Sequence, residues 1–242
     1  MIDRGVALLD ARRRALLEAM GIVIWEDRRT PAAEGPGAMP APLAGDTATV
    51  DDVALLDWAA LEQRVAGCAA CALHRARSRT VFGVGNHAAR LLVVGEAPGA
   101  EEDRRGEPFV GRAGQLLNAM LAAIGLPREQ VYIANIVKCR PPGNRDPLPA
   151  EAAACSDYLA RQIALVRPCA ILAVGRIAAQ NLLGVDTPIG RLRGRPHRYG
   201  PDALPVIVTY HPAYLLRSPD EKRKVWTDLL VAKDLLDAET KP

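Results

Sequence analysis

Four short apolar runs constrain what this chain can fold into more than any other feature. They are LLVV at 91–94, VYIANIV at 131–137, CAILAV at 169–174 and VIVT at 206–209. Each is too short and too apolar for a surface helix and reads as a strand buried on both faces. Between them the apolar residues return to helical spacing, over 113–124, from about 149, from 175 to 183 and over 219–236. Strands alternating with helices call for a parallel sheet covered on both sides. The expected fold is therefore α/β, a three-layer α/β/α sandwich around a central, mostly parallel sheet of four strands. In such sheets ligands sit beyond the carboxyl ends of the strands. The first run leads straight into that edge. Its sequence continues GEAPGAEEDRRGEPFVGRAGQLL, where Gly95, Gly99, Gly106, Gly111 and Gly114 punctuate a loop that also carries Phe109 and Val110. An aromatic held between glycines in a long loop needs a core or a ligand to cover.

The 242 residues are 49% hydrophobic, enough for a real core. Residues 1–27 read as a helical extension, with a helix over 3–19 and a brief extended stretch at 22–25. Residues 28–50, rich in Pro, Gly and Ala, read as a flexible linker. Residues 51–242 form the main domain, opening with a helix over 51–65 whose buried stripe is Val53, Leu56, Leu61 and Val65. A net charge of +3 suits an anionic partner without requiring one. No apolar run is long enough to span a bilayer and the first residues lack the order of a signal peptide, so a cytoplasmic protein is expected. In a reducing compartment the five cysteines are ligands or buried thiols. Cys68-x2-Cys71 together with Cys139 and Cys155 offers four thiolates, a set that suits zinc or an iron–sulfur cluster alike. Cys169 opens an apolar strand and reads as packing.

The stretch 95–117 closely resembles the first motif of the family 4 uracil-DNA glycosylases, the iron–sulfur-containing branch of that superfamily. The likeness continues through NIVKCRPPGNRDP at 135–147 to HPAYLLR at 211–217 and covers roughly residue 55 to the C-terminus. It implies a uracil-DNA glycosylase-like fold and a monofunctional hydrolase of N-glycosyl bonds. Such an enzyme acts in base excision repair as a monomer on single- or double-stranded uracil-containing DNA. It also implies that Cys68, Cys71, Cys139 and Cys155 hold a 4Fe-4S cluster; hydrolysis needs no redox chemistry, so its expected task is structural, pinning the proline-rich loop after Asn135.

Removing uracil asks for several kinds of side chain, and these motifs offer a candidate for each, Glu96 and His211 matching the acidic residue and the histidine of the family they resemble. Phe109 stacks on the extruded base. Asn135 reads the uracil edge, since an amide can satisfy the N3 donor and O4 acceptor together. His211 donates to the base as negative charge develops. Glu96 orients or activates the attacking water and stabilises positive charge on the sugar. Ala97 and Glu102 are further pocket residues. Leu215 or Leu216 is the wedge that fills the gap left in the duplex, the alternative being a core pair and exposure the discriminator, and Arg217 and Arg112 contact phosphate. Arg191, Arg193 and Arg195 are additional phosphate candidates, and Arg75, Arg77 and Arg79 read as a solvated basic face. The stretch KCRPPGNRDP has no histidine and no basic insertion, which argues against the covalent trapping of uracil-DNA seen in one branch of the superfamily.

Two rivals remain at this level. One is a non-catalytic uracil-DNA recognition module, which retention of Glu96 and His211 speaks against. The other is a zinc-stabilised nucleotide-binding protein. Colour separates the last from the cluster: the cluster predicts a brown protein with broad visible absorption, and zinc predicts a colourless one.

Overall fold

The computed structural model describes residues 53–238, so the helix expected at 3–19, the extended stretch at 22–25 and the linker at 28–50 lie outside the described residues. Six strands form one sheet: β1 (Val84–Gly85), β2 (Leu91–Gly95), β3 (Tyr132–Asn135), β4 (Ala170–Val174), β5 (Pro196–Tyr199) and β6 (Leu204–Thr209), in the spatial order β1-β3-β2-β4-β6-β5. The four expected strands β3, β2, β4 and β6 run parallel at its centre. Two antiparallel strands border them, β1 on β3 and β5 on β6. Neither border strand was expected, because Val84–Gly85 is two residues long and PHRY is half polar, too little pattern to mark a strand.

The sheet is a core element because its central strands are apolar on both faces. All residues of β2 and β4 are buried. Successive residues point to opposite sides, and the two resulting cores take different helices. On one face Leu92, Val94, Ile171, Ala173, Val206 and Val208 meet α1 (Trp58–Ala66), α5 (Ser156–Val166) and α6 (Arg176–Leu183). On the other, Leu91, Val93, Leu172, Val174 and Ile207 meet α3 (Arg112–Ala123), α8 (Pro212–Arg217) and α9 (Lys222–Ala238). The three layers follow directly.

Local chemistry moves several boundaries. The first described helix starts at Trp58, where the Asp57 carboxylate accepts from the Ala60 N–H at 2.9 Å and caps it. The acidic run after Gly99 is α2 (Ala100–Arg105), with Glu101, Glu102 and Asp103 in its first turn. Asp103 is buried and accepts from the Ser78 N–H at 2.9 and 3.0 Å, which fastens this helix to the segment before β1. The helix expected from about residue 149 is broken in two: α4 (Pro149–Ala153) ends one residue after Ala152, and Cys155 stands at the N-cap of α5. Residues 187–200 contain α7 (Ile189–Leu192) and β5. Arg193 in that stretch bonds the buried Asp228 at 2.9 and 3.1 Å and lies over the Tyr210 ring at 5.2 Å. It therefore joins α9 to the end of β6 and is withdrawn from the phosphate candidates. Among the described residues no helix is long and apolar enough to cross a membrane.

Candidate active site

The chain leaves β2 for β3 on one side of the sheet and β4 for β6 on the other, so the carboxyl ends of β2 and β4 flank a crevice. A cavity of about 490 Å³ opens at this edge. Glu96 and Ala97 enter it from the end of β2, Asn135 from the end of β3 and His211 from the end of β6. Glu102 of α2, Phe109 and Arg217 of α8 complete the expected set, and Asn144, Arg145 and Tyr214 line it too. Residues up to 115 positions apart in sequence thus converge because they close parallel strands at one edge.

Phe109 forms one wall under strain. Its φ is +54°, a left-handed conformation that costs an aromatic residue on the order of 1–3 kcal/mol. Surrounding bonds hold it there. Arg128 donates to the Pro108 carbonyl at 2.6 Å and to the Phe109 carbonyl at 3.4 Å. Glu102 accepts from the Val110 N–H at 3.2 Å and the Gly111 N–H at 3.4 Å. Two glycines make the approach possible: a Cβ at Gly114 would land on the Phe109 carbonyl, and one at Gly95 would overlap both the Phe109 ring and the Asn135 side chain. The ring is buried and stacks on His211 at 5.6 Å between centroids.

Asn135 is 2% exposed, yet its Oδ1 has no hydrogen-bond partner in the protein. A buried acceptor left in this way is costly unless something else fills it. His211 has its ring orientation fixed from one side, its Nδ1 accepting the Ala213 N–H at 3.1 Å at the start of α8. With Nδ1 an acceptor, the ring proton sits on Nε2. Burial pushes the His211 pKa down to about 4, with the Arg217 charge acting in the same direction and Glu102 opposing. The imidazole is therefore neutral at physiological pH. Glu96 moves the other way. Burial first, then the Asp146 carboxylate, raise its pKa to about 7; Arg176 opposes, and a hydrogen bond with Asp146 adds to the rise. Asp146 in turn pairs with Arg176 at 2.5 Å. Asp146, Arg176 and Arg128 escaped the sequence reading, since nothing in their local pattern separates them from surface charges.

The wedge candidates divide by burial. Leu215 is 1% exposed and packs in the core beneath α8, so it is excluded as an inserting side chain. Leu216 is 39% exposed beside Tyr214 at 37%, and Arg217 is exposed at the cavity rim. Adjacent helix positions point about 100° apart, which is why one leucine of the pair faces in and the next faces out. Arg112 is exposed at the start of α3 and does not line the cavity.

Away from this edge, Cys68, Cys71, Cys139 and Cys155 line a second, smaller cavity with Lys138, Arg77 and Tyr158. Arg77 donates to the Cys139 sulfur at 3.0 Å, so it is no solvated charge. The Lys138 N–H points at the Cys155 sulfur at 3.4 Å and the Ala70 N–H at the Cys68 sulfur at 3.5 Å. Burial pushes the Cys155 thiol up to about 11 and raises Cys139 as well. Thiols in that setting ionise together only when a cation neutralises them. Among the described residues no three His, Cys, Asp or Glu side chains close on a single metal ion. The four cysteines line one cavity, with N–H groups directed at three of the sulfurs, a donor set that fits a thiolate-held metal group. Cys169 stands outside this cavity, partly buried against the other core.

The chain matches the model of the uracil DNA glycosylase superfamily over residues 82–230. It is 47% identical over 173 residues to a type-4 uracil-DNA glycosylase of Archaeoglobus fulgidus, covering 69% of this chain and 86% of that one. Similar relatives of the same name are found in Thermotoga maritima, at 45% over 182 residues and 94% of that protein, and in Pyrobaculum aerophilum, at 39% over 180 residues and 92%. Replacing Gly114 with alanine is expected to cost about 2–4 kcal/mol, because the new methyl group must displace the Phe109 carbonyl. An unchanged urea midpoint for Gly114→Ala would show that the loop yields freely.

Proposed function

The chain belongs to the uracil-DNA glycosylase superfamily, and we propose that the cavity beneath Phe109 is where it hydrolyses the N-glycosidic bond of deoxyuridine. It is a DNA glycosylase that removes uracil in base excision repair, leaving an abasic site. The observation that carries the residue-level reading is the orphaned Oδ1 of Asn135, a buried acceptor facing a cavity walled by an aromatic ring.

A uracil rotated out of its stack meets the Phe109 ring, which replaces lost stacking. Its N3–H satisfies Asn135 Oδ1, and the Asn135 amide nitrogen donates to O4. Cytosine offers the opposite pattern and leaves both groups unpaired, a loss worth several kcal/mol in a dry site. As the glycosidic bond lengthens, negative charge builds on the base, and the neutral His211 donates from Nε2 toward it. A neutral imidazole suits a leaving group that departs as an anion, because its proton is held in place throughout. Glu96, when ionised, orients water on the sugar side and offsets the positive charge of the oxocarbenium-like ring. Among the described residues no lysine lines the cavity, and the enzyme is proposed to be monofunctional. Leu216 and Tyr214 supply the apolar wedge and Arg217 a phosphate contact; Arg112 is kept as a more distant phosphate contact.

The four-cysteine site is proposed to hold a 4Fe-4S cluster, with Cys68, Cys71, Cys139 and Cys155 as ligands. When bound, that group ties the segment after β3 to α5 and to the segment after α1; it supplies no step of the hydrolysis. The same relatives support uracil-containing DNA as the partner, and a monomer in the cytoplasm is the form proposed.

Multiple-turnover release of uracil from an oligonucleotide tests this assignment. Glu96→Ala and His211→Ala are each expected to lose at least about 100-fold in kcat while still binding DNA. A wild-type protein that binds uracil-DNA and never turns over would overturn the catalytic reading in favour of a recognition module. The pH profile gives a second test. Because Glu96 must be ionised and its pKa stands at about 7, the rate is expected to climb as pH rises through that value and then level. His211, neutral above about 4, adds no limb in this range. Glu96→Gln should flatten the profile between about pH 5 and pH 8, and a wild-type profile already flat there would remove Glu96 from the role.

A further inference from the structure

Lys138 is 1% exposed, and both oxygens that receive its ammonium are neutral. Its Nζ donates to the Asn135 carbonyl at 2.9 Å and to Gln162 Oε1 at 2.6 Å. Gln162 is fully buried and spends its amide nitrogen on the Phe82 carbonyl at 2.9 Å and the Tyr132 hydroxyl at 3.2 Å, so its oxygen is fixed toward the lysine. Lys138 also lines the cavity of the four cysteines, its backbone N–H lying 3.4 Å from the Cys155 sulfur. A buried cation among neutral acceptors is expensive unless an anion lies close by. Four thiolates outweigh the charge of an oxidised cluster core and make the whole unit anionic.

We propose that Lys138 is the internal counter-ion of the cysteine-held cluster and, through the same ammonium group, the positioning residue that fixes Asn135. This rests on the cluster reading given above. The connecting segment is short and tied along its length. From Asn135 to Cys139 the chain bonds Ile136 N–H to the Gly95 carbonyl at 3.0 Å, Val137 N–H to the Glu96 carbonyl at 3.2 Å and Lys138 N–H to the Cys155 sulfur at 3.4 Å. The side chain of Lys138 then folds back three residues to hold the Asn135 carbonyl. One cation is thus shared by the site that reads the base edge and the site that takes the cluster. Arg77 serves the Cys139 sulfur from a less buried position, its other bond going to the Ala66 carbonyl, and does not line the base-reading cavity.

The full-length protein, purified without oxygen, is compared with K138M, K138Q and K138R. Iron content, the midpoint potential of the cluster and kcat/KM for uracil release are the readouts. Methionine removes charge and donor, glutamine removes the charge and keeps a donor, and arginine keeps the charge. K138M and K138Q are expected to retain iron with the midpoint shifted to more negative values, since losing a buried positive charge disfavours the added electron. K138M is expected to lose about tenfold or more in kcat/KM, K138Q less, and K138R to keep its midpoint near that of wild type. An iron-loaded K138M with the wild-type midpoint and wild-type kcat/KM overturns the inference and leaves the cluster reading standing. A colourless, iron-free wild type overturns both. If the two neutral variants fail to fold while K138R folds, the requirement for charge is upheld; if K138R fails with them, the site needs the shape of lysine and the counter-ion role falls.

Discussion

The parallel pairing of β2 between β3 and β4 is the constraint on which the rest of this structure depends. Parallel strands end at one edge of a sheet, and their exits deliver side chains to a common place whatever the distance between them in sequence. Glu96, Asn135 and His211 each stand within two residues of a strand end. Had any of these strands paired antiparallel, its exit would lie at the opposite edge. The strands hold their register because both faces are apolar: a shift by one residue exchanges the two face-specific sets of contacts.

Stability and chemistry draw on the same atoms at this edge. Phe109 is held in a left-handed conformation by Arg128 and Glu102 and admitted by two glycines. Its strain is offset by the sheet and α3, so the ring is in place before a ligand arrives. The two titrating groups are displaced in opposite directions by one cause. Burial disfavours charge, which raises the carboxyl of Glu96 and lowers the imidazolium of His211. One environment therefore brings a carboxyl group near neutral pH in its titration and keeps an imidazole neutral, the pair of states the proposed roles require. The second site, with its four cysteines, sits where the segment leaving Asn135 meets α5. On the proposed reading, a cluster held there restrains Asn135 without entering the chemistry.

Much of the fold was legible because buried parallel strands announce themselves. The runs at 91–94, 131–137, 169–174 and 206–209 all lie in the sheet or directly continue it. The border strands β1 and β5 left no such mark, since exposed or very short strands lack an apolar pattern. In the site, Glu96, Ala97, Glu102, Phe109, Asn135, His211 and Arg217 were named from motif and position, and the cavity unites them. Leu215 was paired with Leu216 as an alternative wedge, and sequence had no means of separating neighbours whose directions depend on how α8 packs. Arg193, a phosphate candidate, and Arg77, read as part of a solvated face, proved to be bonded within the fold, to Asp228 and Cys139.

The sequence by itself determined the order of elements, the apolar strands, the glycines of the loop after β2 and the identity of the four thiols, because these depend on local periodicity and residue type. Only the tertiary structure decided which charges pair and which titrate. Asp146 beside Glu96, Arg128 beneath Phe109 and Lys138 between Asn135 and the cysteines are contacts across 50, 19 and up to 17 positions. The physical reason is that a pKa, a strained dihedral or a buried counter-ion is set by distance and desolvation in space, and neither quantity is written in the spacing of a chain.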